Sequence, residues 1–122
     1  MNMTKLINLY SKFDNFSDYW SPKVIAEMND YQFKLVKIKG EFVKHQHSET
    51  DEAFIVIEGK MSIDFETHTI EIKSGEMIVV PKGITHKPFA EEECKVMIVE
   101  PRGVLNTGDT KSDMTTPNDQ WI

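Results

Sequence analysis

The sequence predicts an all-β fold, a sandwich or a barrel of short strands. Three observations carry this reading. Between Val24 and Val99, apolar or alternating segments recur about every ten residues, giving about eight or nine short strands. Compact turn signals separate them: Asn29-Asp30, Glu58-Gly59-Lys60, Ser74-Gly75-Glu76 and Pro81-Lys82-Gly83. The chain has 122 residues, 39% hydrophobic and 28% charged, which suits one ordinary globular domain able to bury a core.

At the N-terminus, Leu6, Leu9, Tyr10 and Phe13 fall at helical spacing and predict one short amphipathic helix. Tyr19-Trp20 could instead begin an extended segment, so residues 1–22 read as an N-terminal helix or arm. Residues 23–101 read as the β domain. Its first hairpin joins "VIAEM" to "YQFKLVKIK" across Asn29-Asp30. In the second segment Phe33 and Leu35 share one parity, while Val36 and Ile38 share the other. Either a β-bulge or burial on both faces produces that change.

The segment Ala53 to Ile57 is continuously apolar, as a strand covered on both faces would be. Met61, Ile63 and Phe65 alternate with Ser62 and Asp64, and Ile70 and Ile72 continue the alternation after a turn near His68. "MIVV" follows Gly75. Two further short strands are expected near Ile84 to Phe89 and Lys95 to Val99, with Glu91-Glu92-Glu93 a solvated loop between them. Residues 102–122 turn polar and read as a surface tail, whose terminal Trp121-Ile122 hints at docking on something apolar.

The four histidines are not evenly spread. His45 and His47 sit one residue apart, so on a strand both imidazoles share one face. Glu52 opens the next strand after a polar turn and can reach back beside them. His86 follows the Pro-Lys-Gly turn. Three imidazoles and one carboxylate make a coordination set for one divalent transition metal, with Fe, Mn, Ni, Zn and Cu all suited. His68 lies in a hairpin turn and reads as solvated, and Cys94 as a small core residue. Asp51, beside Glu52, is expected to face away from the metal by alternation.

These stretches resemble the two motifs of the cupin superfamily. Gly40, His45, His47, Glu52 and Gly59 follow the first, with four residues between Gly40 and His45 where five is usual. Gly75, Pro81, Gly83 and His86 follow the second, and Ala90 stands where asparagine is usual. The resemblance implies a small jelly-roll barrel with a metal held by His45, His47, Glu52 and His86. The segment Glu100 to Asp109 is similar to the ending of many small bacterial cupins, and it reads as structural.

Strand parity places Phe54, Val56, Met61, Ile63 and Ile84 around a substrate pocket. Lys44 and Lys87 should face outward, so the pocket is expected to be apolar, without an inward cation, and poor for phosphosugars. No carboxylate besides Glu52 stands out as a base. The expected ligand is a small uncharged or singly anionic molecule that chelates through adjacent oxygens. Three functions remain open: a metal-dependent dioxygenase or isomerase, a non-catalytic small-molecule binder, or a structural metal site with a working surface.

A net charge of −6 and a single arginine, Arg102, argue against nucleic acid and anionic membranes as partners. One cysteine and no evident signal segment lead to a cytoplasmic expectation. The apolar segments "AFIVI" and "MIVV" need cover outside the barrel as well as inside, which predicts a homodimer. Related small cupins commonly pair this way.

Overall fold

A computed structural model describes residues 4–122. Its elements are α1 (Leu9–Phe13), β1 (Lys23–Met28), β2 (Tyr31–Glu41), β3 (Glu52–Glu58), β4 (Lys60–Asp64), β5 (Thr69–Lys73), β6 (Met77–Val80) and β7 (Lys87–Pro101). All strand pairings are antiparallel, in the order β1-β2-β7-β3-β6, with β4 joined to both β5 and β7. The result is an all-β jelly roll.

The strand count differs from the expected eight or nine because the last two expected strands are one. β7 pairs with β2 along one edge, from Phe89 to Pro101. Along the other edge its first residues pair with β4, and residues Lys95 to Val99 pair with β3. A single long strand thus serves both layers and closes the roll. Glu91, Glu92 and Glu93 are therefore strand residues rather than a loop. They are exposed where β7 passes the β3–β4 turn. Gly59 makes that passage possible: its φ is +92°, and a Cβ there would lie 3.1 Å from the Glu93 carbonyl oxygen.

The β1–β2 hairpin turns on Asn29-Asp30, with Asn29 at φ 56°, a conformation that asparagine tolerates. The parity change in β2 has burial on both faces as its cause. Val36 and Ile38 face the main core with Phe54, Val56, Met61, Ile63, Cys94, Val96 and Ile98. Leu35 faces the other way, into a second cluster with Phe13 and Ile25, against which Phe33, Met97 and Ile122 pack. Register shifts do occur, in β1 between Val24 and Ala26 and in the β2–β7 pairing between Ile38 and Gly40, neither of them at the Leu35–Val36 parity change.

That second cluster explains the ends of the chain. The helix is only five residues long, capped by the Asn8 side chain on the Ser11 N–H. Phe13 is fully buried, whereas Leu6 is fully exposed, so Leu6 takes no part in the expected apolar stripe. The C-terminal segment does not drift off: Val24 N–H donates to the Gln120 carbonyl, and Ile122 N–H to that of Val24. Ile122 docks on the outer cluster while Trp121 stays half exposed. Among the described residues no helix is long and apolar enough to cross a membrane.

Candidate metal centre

Glu52 is the first residue of β3, opposite Val80 of β6. His45 and His47 precede it in an irregular segment rather than in a regular strand. His45 forms a single antiparallel bridge with His86. Each donates its backbone N–H to the other's carbonyl, at 2.9 and 2.8 Å. Gly83 N–H donates to the His47 carbonyl at 2.8 Å, which ties the Pro-Lys-Gly turn to the first motif. The two motif segments are thereby clamped together by their own backbones.

His45, His47, Glu52 and His86 come together, each no more than 6% exposed. Each offers one ligand atom, and the four atoms lie within 4.8 Å of one another. His47 Nε2 is 3.3 Å and His86 Nε2 is 3.5 Å from Glu52 Oε1. Ligands about 2.1 Å from a shared ion stand roughly 3.0 to 3.4 Å apart in octahedral or tetrahedral geometry. The donor set fits a divalent transition ion.

Hydrogen bonding at the far ring nitrogens sharpens the fit. His45 Nδ1 is 2.9 Å from the Val43 carbonyl oxygen, and His86 Nδ1 is 2.9 Å from that of Ile84. A carbonyl can only accept, so both Nδ1 atoms carry the proton and both Nε2 atoms present lone pairs. The Nε2 atoms of His47 and His86 and Oε1 of Glu52 are buried with no hydrogen-bond partner. Leaving three such groups orphaned is costly unless something cationic joins them.

The electrostatics agree. Burial, then the neighbouring His86, holds the His45 imidazole down at about 4, so it is neutral at ordinary pH. Burial alone would raise the Glu52 carboxyl. In the metal-free cluster, hydrogen bonds and charge from protonated His47 and His86 rings would outweigh that and hold it well below the usual carboxylate range. A neutral His45 imidazole beside an ionised Glu52 suits metal ligation.

A small cavity of about 30 Å³ adjoins the cluster, with room for about one or two waters. His45, Glu52, Phe54 and Met61 line it, together with Trp20 and Phe42, whose rings stack at 4.7 Å. Val56 and Ile63 are fully buried in the core behind this wall. Ile84 lies outside, 42% exposed. It sits in the irregular segment before β7, where strand alternation does not apply, and it serves through its carbonyl on His86.

Two expectations need correction. The barrel interior does hold a cation: Lys34 is 3% exposed, and its Nζ lies 2.7 Å from Oε2 of the equally buried Glu100. A second carboxylate also reaches the cavity, since Glu100 and Asn106 line it. Burial pushes the Glu100 carboxyl well up, the charge of Glu52 adds to this, and Lys34 works against it. Parity could have found both residues. Lys34 is two before Val36, and Glu100 two after Ile98, both inward positions. Lys44 is exposed and pairs with Glu66, whereas Lys87, half-buried, pairs with Glu41.

The segment Glu100 to Asp109 thus belongs to the site. Asp109 N–H donates to the Gln46 carbonyl at 3.0 Å. Gly108, at φ +58°, lies so close that a Cβ would overlap the Gln46 carbonyl oxygen and come 3.1 Å from His47 Nδ1. His68 is exposed, stacked on Phe65 at its turn. Cys94 is buried in the core, and burial, then Glu58, pushes its thiol up to about 11.

Fold and cluster together define a small β-barrel with a preassembled nitrogen and oxygen donor set. The chain belongs to the cupin family, and the family's cupin domain matches residues 34–100. It is similar to the YdbB protein of Bacillus subtilis (strain 168), 34% identical over 86 residues that cover 70% of this chain and 76% of that one. Among solved structures it is similar to a cupin-2 domain containing protein from Shewanella frigidimarina. Identity there is 61% and the TM-score 0.79, over 80% of this chain and 95% of the other. Protein NMB1881 from Neisseria meningitidis aligns at 34% identity and a TM-score of 0.74, over 80% and 99% of the two chains.

Proposed function

We propose that the protein binds one divalent transition metal through His45, His47, Glu52 and His86, and takes a small organic molecule at that ion. The observation that carries this is the convergence of buried, partnerless Nε2 and Oε1 atoms on one point. When bound, the ion would supply Lewis acidity toward an oxygen of the ligand. The chain supplies the rest. Val43 and Ile84 hold two rings in the ligating tautomer. Phe54, Met61, Phe42 and Trp20 provide apolar burial and keep bulk water from the inner face. Lys34 is neutralised by Glu100, so phosphosugars remain unfavoured ligands.

A ligand-binding role is better supported than a purely structural metal, because a cavity reaches two of the cluster's residues. Trp20 offers the test. In a Trp121→Phe background, Cu²⁺ or Ni²⁺ should quench the remaining tryptophan saturably at about one equivalent. The His86→Ala variant should need far more metal. Quenching that never saturates, or that survives His86→Ala unchanged, would contradict the site.

The protein is also read as a homodimer. Met77 and Val79 are 56% and 52% exposed on β6, a strand paired only with β3 among the described residues. They adjoin the half-buried Ile55 and Ala53 across the β3 pairing. Burying such a stripe against a second copy would be favourable. Light scattering at micromolar concentration should give a dimer, and a monomer would refute it.

A further inference from the structure

The wall of the cavity has few polar groups, and nearly all are committed. The Asn106 amide nitrogen donates to the carbonyls of Trp20 and Met114, and its oxygen accepts from Thr116 N–H. Trp20 Nε1 donates to the Lys39 carbonyl. Glu100 Oε2 accepts from Lys34, whose ammonium also reaches the Val104 carbonyl. Glu100 Oε1 is left over. It is buried and has no hydrogen-bond partner among the described residues. Apart from the four clustered side chains, it is the wall's unspent hydrogen-bonding atom.

A buried carboxyl oxygen without a hydrogen-bond partner is unfavourable, and a donor that reaches it removes that cost. The position is also built. Lys34 and Glu100 sit on neighbouring strands, β2 and β7, at inward positions, and are 3% and 1% exposed. Their ion pair fixes the carboxylate rather than leaving it free to rotate away. The same cavity joins Glu100 to His45 and Glu52 of the cluster.

We propose that Glu100 is a second ligand contact. It receives a hydrogen bond from a hydroxyl or amine on a small molecule whose other end chelates at the four-residue cluster. This rests on the metal-binding reading above and names its substrate class: short molecules with a chelating oxygen pair and a further donor beside it. The cavity's small volume admits only a few heavy atoms of such a ligand, which favours short compounds, and the apolar remainder of the wall excludes heavily charged ones. A bare diketone would satisfy the ion and leave Oε1 unpaired.

Glycerate and lactate are a suitable probe pair. Both present the same 2-hydroxycarboxylate, and they differ in one hydroxyl on the third carbon. Calorimetry on nickel-loaded protein should show glycerate binding at least about tenfold more tightly. The double variant Lys34→Met/Glu100→Leu removes the ion pair as a unit, so no buried charge is left unpaired. It should still take up nickel and should lose the preference. Glu100→Gln, close in size and neutral, should narrow the preference to a few-fold. Equal binding of both acids by the wild-type protein, no binding of either, or a preference that survives the double variant would overturn the assignment of Glu100. Elemental analysis of the same samples separates the two readings. Absence of nickel in the wild-type protein overturns the metal site and this inference together, whereas normal nickel without the preference overturns this inference alone.

Discussion

Two sets of buried charged side chains share one barrel, and their needs differ. Lys34 and Glu100 carry opposite charges and meet at 2.7 Å, so each largely satisfies the other. His45, His47, Glu52 and His86 cannot do the same. The facing Nε2 atoms of His45 and His86 hold lone pairs, and the ionised Glu52 carboxylate can only accept. The first set is complete within the chain except for one oxygen. The second has a donor set that a cation from outside could complete. Buried polarity alone therefore says little. The match of donors to acceptors separates an internal tie from a binding site.

The largest effect that separates the two sets comes from His47→Ala. Losing even an outer partner of a metal ligand typically costs 10–100-fold in affinity. Loss of a ligand itself should exceed about a thousandfold in competition with a chromogenic chelator. His68→Ala, at an exposed turn, should change nothing.

Breaking the ion pair should instead cost fold stability. Lys34→Met or Glu100→Leu alone should each lower unfolding free energy by about 3–5 kcal/mol, because a charge is left buried. The double change should be near neutral. Urea titrations of the three variants read this directly, and equal losses in all three would refute it.

The cluster should set the acid response of the metal-free protein. His45 is depressed to about 4 in the native state, from an ordinary 6.5. Between those values the unfolded chain binds a proton that the native protein does not. Stability is therefore full above pH 6.5, falls as pH drops toward 4, and flattens below. The size is roughly 3 kcal/mol. Glu52, also depressed, pulls the same way at still lower pH. Metal-free His45→Gln should flatten the profile, and an unchanged slope would contradict this.

A smaller effect is expected at the packing behind His47. Gly108→Ala places a Cβ on the Gln46 carbonyl and beside His47 Nδ1, at a φ unfavourable for alanine. Metal affinity should drop about tenfold, while Gly103→Ala, strained but open around its Cβ, should leave it unchanged.

These contrasts also show what could be read in the chain. The four clustered residues were legible because their spacing encodes them. A His-x-His pair, a glutamate at the next strand start, and a histidine after a Pro-Lys-Gly turn stand at the spacing of the two cupin motifs, which the His45–His86 bridge then brings together. The strands were legible for the same reason, apart from β7. Its exposed Glu91 to Glu93 imitate a loop because the β2–β7 register shifts beside them, between Ile38 and Gly40. Lys34 was overlooked because a lysine in an alternating strand reads as solvent-facing. Its inward parity matters only once Glu100, far along the chain, is known to face it. Gly108 was hidden too, since its role depends on a tail folding back over Gln46. Contacts between distant segments leave no local pattern to read.

The central claim is that the four-residue cluster holds a metal. Elemental analysis of protein purified without chelator, with a parallel sample stripped and offered Fe²⁺, Mn²⁺, Ni²⁺, Zn²⁺ and Cu²⁺ in turn, tests it most directly. The account predicts about one divalent ion per chain, lost in the His45→Ala/His47→Ala variant. A wild-type protein that carries no metal and takes up none of the five would contradict it.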